Sequence, residues 1–169
     1  WYTNGRDLVD RANESGLDNV VMTRTFSKIY GLGGLRVGWG YAAPEVISLL
    51  ERLRPPFNIT TASLKAAEAA IQDQDFVVKN RNYTRDLRDM VRDQLTSFGM
   101  EPVPSHANFV TIDLQSPDRA AAYMRHLETD DILVRSAASS RLPAHVRVTI
   151  GPEEAMTAYL QSTERFLSG

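Results

Sequence analysis

The sequence predicts an α/β chain, and three observations carry that expectation. Short runs rich in β-branched and aromatic residues alternate with longer segments whose apolar positions recur at helical spacing. Pro44 and Pro117 stand where a first helical turn tolerates proline. The double proline Pro55-Pro56, followed by the extended Phe57-Asn58-Ile59, makes a stiff connector that divides the chain into 1–57 and 58–169.

Each element has its own reason. Gly5 to Ser15 sets Leu8, Val9 and Ala12 at helical spacing, a turn at Gly16 follows, and Asn19 to Thr25 reads as a strand. Arg36 to Ala42 is the next strand. From Pro44, the residues Val46, Ile47, Leu49, Leu50 and Leu53 mark a helix that Pro55 ends. Thr61 to Gln72 is an alanine-rich helix and Asp75 to Phe98 a long one, striped by Phe76, Tyr83, Leu87, Met90, Val91, Leu95 and Phe98. Arg81, Arg85, Arg88 and Arg92 lie mostly off that stripe, on a face expected to be solvated. Gly99 suits the helix end. Asn108 to Leu114 is a strand. Ser116 and Pro117 then open a helix over Ala120 to Leu127. Ile132 to Arg135 and Val146 to Ile150 are further strands, and a last helix runs from Pro152 to Leu167 with Glu153 and Glu154 at its electropositive start. The expected product is a small mixed sheet with helices on one side.

Composition narrows the function. The chain has 43% hydrophobic and 24% charged residues, ordinary for a globular protein. A net charge of −2, with no basic run beyond the alternating charges of 79–93, argues against nucleic acid as a partner. No apolar stretch approaches the roughly 20 residues that cross a bilayer, so no membrane partner is expected. There is no cysteine, hence no disulfide and no thiolate metal site, which fits a reducing cytoplasm. His106, His126 and His145 are scattered without metal-ligand spacing, so no metal is expected.

The chemistry concentrates at Thr25-Phe26-Ser27-Lys28-Ile29-Tyr30-Gly31-Leu32-Gly33-Gly34-Leu35-Arg36. Thr25 and Ser27 offer hydroxyls to a phosphate, Arg36 offers a planar fork, and Lys28 offers an amine that can react with an aldehyde if burial or nearby positive charge frees its proton. An aldehyde and a phosphate are the two handles of pyridoxal 5′-phosphate. The alternatives are a solvated lysine and a connecting bend. A dinucleotide fingerprint fits less well, because the glycines lack the third, wide-spaced member and a strand rather than a helix follows. Arg135 and Arg147 lie at or within short apolar strands, where, read from the residues alone, salt bridges would satisfy them. Asn108, a strand asparagine, could satisfy a neighbouring backbone group. Tyr30 either lines the pocket beside Lys28 or, the better fit for an aromatic, packs in a core; Asn58 suits the bend after Pro56.

Thr23 through Gly40 resembles the cofactor-lysine segment of the fold-type I, pyridoxal-phosphate-dependent aminotransferases, with most likeness to their histidinol-phosphate branch. Arg54-Pro55-Pro56-Phe57-Asn58-Ile59 resembles the entry to that family's small domain, and Pro104-Ser105-His106-Ala107-Asn108-Phe109-Val110 its Pro-Ser-x-Ala-Asn-Phe strand. Ile132-Leu133-Val134-Arg135 and Val146-Arg147-Val148-Thr149-Ile150-Gly151 resemble its two substrate-arginine segments.

The resemblance implies part of a large coenzyme-binding domain over 1–57 and a small C-terminal α/β domain with a long interdomain helix over 58–169. It implies that the chain corresponds to the C-terminal portion of a longer enzyme, a homodimer when complete. Lys28 would be the catalytic residue, and Thr25, Ser27, Lys28 and Arg36 would bind the coenzyme. Arg135, Arg147 and Asn108 would bind substrate. The implied reaction is transamination between histidinol phosphate and 2-oxoglutarate, a step in histidine biosynthesis. A related lyase acting on an amino-acid phosphate, another amino-acid aminotransferase and a catalytically inert fragment stay open beside it.

Overall fold

The computed structural model describes residues 5–169. They divide into two compact units, Trp1–Lys79, described from Gly5, and Asn80–Gly169. This division falls later than the Pro55-Pro56 connector. The reason is local: the helix after the connector is tied to the first unit, where Ser63 Oγ donates to the Leu35 carbonyl at 2.9 Å and Ala67 packs with Phe26 and Val37.

In the first unit, α1 (Gly5–Glu14) precedes an antiparallel hairpin of β1 (Val21–Thr25) and β2 (Gly38–Ala42). The second strand starts later than expected, because Gly33–Leu35 forms a 3-10 turn and Arg36 follows in the left-handed region at φ 50°. Helix α2 (Pro44–Leu53) forms with proline in its first turn, yet none of its residues is buried. Arg54 Nη1 reaches Asn58 Oδ1 at 3.3 Å across the bend, the role expected of that asparagine. Helix α3 (Thr61–Gln72) is capped by Thr60, whose hydroxyl accepts from the Ser63 amide at 3.1 Å.

In the second unit the sheet has the order β3-β4-β6-β5, from Glu101–Val103, Phe109–Asp113, His145–Thr149 and Arg135–Ser136. All pairings are antiparallel, which corrects the expected mixed sheet. The cause is connectivity: short hairpin links join β3 to β4 and β5 to β6, and hairpin-linked neighbours run antiparallel. Strand β3 was not foreseen, because Pro102 speaks against a central strand; it sits at the edge, where proline is tolerated. The strand expected at 132–135 shrinks to β5. Asp131 turns at φ 58° and the Ile132 amide bonds to the Leu127 carbonyl.

One face of the sheet carries the core. Val110 and Ile112 of β4 and Val146 and Val148 of β6 pack with Leu87, Val91 and Leu95 of α4 (Gln74–Ser97). They also meet Tyr123 and Leu127 of α5 (Pro117–Thr129) and Tyr159 of α6 (Glu153–Ser168). Period-two alternation therefore turns Phe109, Thr111, Asp113, His145, Arg147 and Thr149 to the other face. Arg88 departs from expectation. It is 8% exposed rather than solvated, because its spacing to Val91 and Leu95 places it on the buried stripe.

Tyr123 and Tyr159 meet inside this core, the Tyr123 hydroxyl donating to the Tyr159 hydroxyl at 2.9 Å with Thr163 Oγ1 at 2.7 Å. Burial raises the pKa of both phenols above the ordinary tyrosine value. A folded-state pKa above the unfolded one means that the native chain holds more protons in alkali, so stability declines as pH rises. Chemical denaturation at a series of pH values should show a loss beginning above about pH 10. Tyr159→Phe should reduce that alkaline slope while costing about 1 kcal/mol at neutral pH.

Candidate active site

The hairpin presents the lysine segment. Thr25 and Gly38 are the last paired residues, and the Phe26 amide closes the loop by donating to the Val37 carbonyl at 3.2 Å. Phe26 and Val37 are buried with Ala67, so the loop is anchored from beneath. Tyr30 packs on this cluster with its ring 4.9 Å from that of Phe26, the core position expected of it. Thr25, Lys28 and Arg36 are left exposed and Ser27 half-buried. Burial of Lys28, one of the two conditions read from the sequence, is not supplied by the described residues.

Two hydrogen bonds order the polar groups. Thr25 Oγ1 accepts from the Ser27 amide at 3.0 Å, and Arg36 Nη1 donates to the Gly33 carbonyl at 2.8 Å. Neither exhausts its residue: the threonine keeps its hydroxyl proton and the guanidinium its other donors. Ser63, which pins Leu35 beside Arg36, was missed by sequence reading; the capping pattern that begins at Thr60 was its visible signal.

The close approach at the loop base needs glycine. A Cβ on Gly38 would lie 2.7 Å from the Arg24 carbonyl oxygen. Gly38→Ala should therefore spread the hairpin at the point where it closes and destabilise it by roughly 1–3 kcal/mol, measured by thermal unfolding of this chain.

The second unit carries the arginines. Arg135 and Arg147 are direct partners in the β5–β6 register, and Thr111 lies opposite Arg147 on β4. Among the described residues no carboxylate pairs with either, so the salt bridges read from the residues alone do not form. Arg147 Cζ sits 4.8 Å from the centroid of the Phe109 ring, and its Nε is buried with no hydrogen-bond partner among the described residues. A buried donor without an acceptor is costly, and an arriving anion would relieve it. Phe109 is a second missed residue; cross-strand distance, not sequence spacing, brings it to Arg147.

Asn108 enters β4 with its backbone fixed. Its carbonyl accepts from the Ile150 amide at 2.9 Å, and its side chain is exposed. Two of the histidines make polar contacts. His126 Nε2 lies 3.0 Å from the Ser162 carbonyl, and His145 Nε2 is 3.8 Å from Asp113 Oδ2. Among the described residues no group of three His, Asp or Glu could hold a metal ion, and no helix is long and apolar enough to cross a membrane.

The family described as aminotransferase class I and II matches residues 2–162. The histidinol-phosphate aminotransferase of Ruegeria pomeroyi is 43% identical over 152 residues, which is 90% of this chain and 42% of that protein. That of Roseobacter denitrificans is 43% identical over 165 residues, 98% of this chain and 45% of the relative. The crystal structure of histidinol-phosphate aminotransferase from Sinorhizobium meliloti in complex with pyridoxal-5′-phosphate superposes with a TM-score of 0.82 at 27% identity, covering 89% of this chain and 42% of that one. The chain thus spans less than half the length of these relatives.

Proposed function

The chain belongs to the class I and II aminotransferase family, and from that premise we propose that it supplies the coenzyme lysine and the substrate arginines of a pyridoxal-phosphate-dependent transamination between histidinol phosphate and 2-oxoglutarate. The observation that carries this reading is one hairpin loop, closed at Phe26 and Val37, that bears both an amine with no carboxylate partner among the described residues and a guanidinium with donors to spare. The donor set fits the coenzyme: Lys28 Nζ suits its aldehyde, and Thr25, Ser27 and Arg36 suit its phosphate. When bound, the coenzyme supplies the electron sink that acidifies the substrate carbon.

The chain's own residues do the rest. Lys28 Nζ would anchor the coenzyme through its aldehyde and would serve as the general base that moves the proton of the substrate carbon. Arg36 binds phosphate bidentately, which lysine cannot do. In the second unit, Arg135 and Arg147 hold the anionic end of the substrate, a dianion in histidinol phosphate and a carboxylate in 2-oxoglutarate. Asn108 borders that anion from the start of β4. A homodimeric, cytoplasmic enzyme of histidine biosynthesis, with 1–57 as part of its large domain and 58–169 as its small one, belongs to the same proposal.

Labelling tests it. Pyridoxal phosphate is titrated into the chain, the product is fixed with borohydride, and peptides are mapped by mass. Saturable labelling at Lys28 well above Lys65 and Lys79 is expected, whereas equal yield at all three lysines would reduce the assignment to nonspecific amine chemistry. On the complete enzyme, carbon dioxide release in place of amino transfer would move the reaction to a related lyase.

A further inference from the structure

Arg88 is the single charged side chain buried among the described residues, and its contacts lead to the substrate arginine. Its Nη2 bonds to Asp89 Oδ1 at 3.1 Å, which answers its charge. Its Nη1 reaches out of α4 to the Ala107 carbonyl at 3.3 Å. A buried guanidinium is costly unless its donors are used, so this contact holds the segment 105–109 against the helix.

The segment is fixed from other sides as well. Ser105 Oγ donates to the Phe109 carbonyl at 2.7 Å and accepts from the Ala107 amide at 3.1 Å, while the Asn108 carbonyl is taken by Ile150. Immediately beyond stands Phe109, whose ring lies under the Arg147 guanidinium. Farther back on α4, the Tyr83 hydroxyl accepts from the Glu153 amide at 3.2 Å, holding the chain just past β6. The helix therefore grips the backbone beyond the ends of both strands that carry the site.

We propose that Arg88 is a positioning residue for anion binding: by holding the Ala107 carbonyl it sets Asn108 and the Phe109 ring on which Arg147 lies. This rests on the reading of Arg147 as an anion ligand. Arg88 itself touches no substrate, and its effect passes through backbone and ring.

The experiment is a titration of the 169-residue chain with inorganic phosphate, with the Arg147 Nε–H resonance followed by NMR. Arg88→Lys keeps a charge for Asp89 but lacks the planar fork that spans Asp89 and the Ala107 carbonyl, so it should remain folded and release Ala107. It should weaken phosphate binding by about tenfold and move the Nε–H resonance out of the ring current of Phe109. Arg88→Met should do the same with a larger fall in Tm. Tyr159→Phe, which takes stability from the same core without touching this segment, should leave both readouts as in the wild type. A folded Arg88→Lys chain with unchanged affinity and an unmoved resonance would overturn the proposal. If instead Arg147→Ala binds phosphate as well as the wild type, the anion reading beneath it fails, and the two failures are told apart.

Discussion

Replacing Lys28 by alanine is expected to abolish the borohydride-fixed adduct at that position and to lower transamination by the complete enzyme on the order of 10⁴-fold. The effect is large because one nitrogen would perform two tasks, anchoring the coenzyme and transferring a proton, and no neighbour can take over both. The sequence contains its own controls. Lys65 is paired with Glu68 at 2.8 Å on the surface, and Lys79 lies on a different helix; both should label only at background. Thr25→Ala or Ser27→Ala should cost coenzyme affinity by roughly tenfold at most, since each removes one neutral hydrogen bond. Arg36→Lys should cost more, because the fork is lost while the charge stays. A Lys28→Ala enzyme that kept its rate would remove the basis for assigning the chemistry to this loop.

Much of this was legible in the sequence because local rules agree with the fold. Pro44, Pro117, Ser116 and Gly99 announced helix ends that the structure has, and the runs 108–114 and 146–150 were legible as strands. The loop between Thr25 and Arg36 stood out because its hydroxyls and guanidinium would suit a phosphate and its amine an aldehyde. What escaped depended on partners remote in sequence. The charge on Arg88 suggests a solvated face although its spacing to Val91 and Leu95 puts it on the apolar stripe; its acceptor, the Ala107 carbonyl, belongs to a turn that helical periodicity does not reveal. Strand β3 was missed because Pro102 argues against a strand everywhere but at an edge, and edges are a property of the assembled sheet. The pairing of Arg135 with Arg147 could not be read from their separation, since the register is set by the length and shape of the loop between them.

That register supports the second large expectation. Arg147→Ala should weaken binding of a phosphate monoester by about 10²- to 10³-fold, the range expected when a desolvated, charge-assisted contact is lost. Arg135→Thr should weaken it less, since Arg135 is exposed and solvent screens it. The same two residues should behave oppositely toward stability. Side chains directly opposed on antiparallel strands have Cβ atoms about 5 Å apart, and like charges there repel. In the absence of an anion, Arg135→Thr should therefore stabilise the chain by roughly 0.2–0.5 kcal/mol, and added salt should stabilise the wild type more than the variant by screening the pair. Phosphate should reverse the order: it binds the folded wild type and should raise its Tm with ligand concentration, while the variant gains little. Thermal unfolding at low salt, at high salt with a non-coordinating anion, and with phosphate separates these terms. An Arg135→Thr chain that is less stable without anion would mean that the opposed guanidiniums are already satisfied within the sheet. They would then be structural residues, and specificity for the substrate's anionic end would have to arise elsewhere.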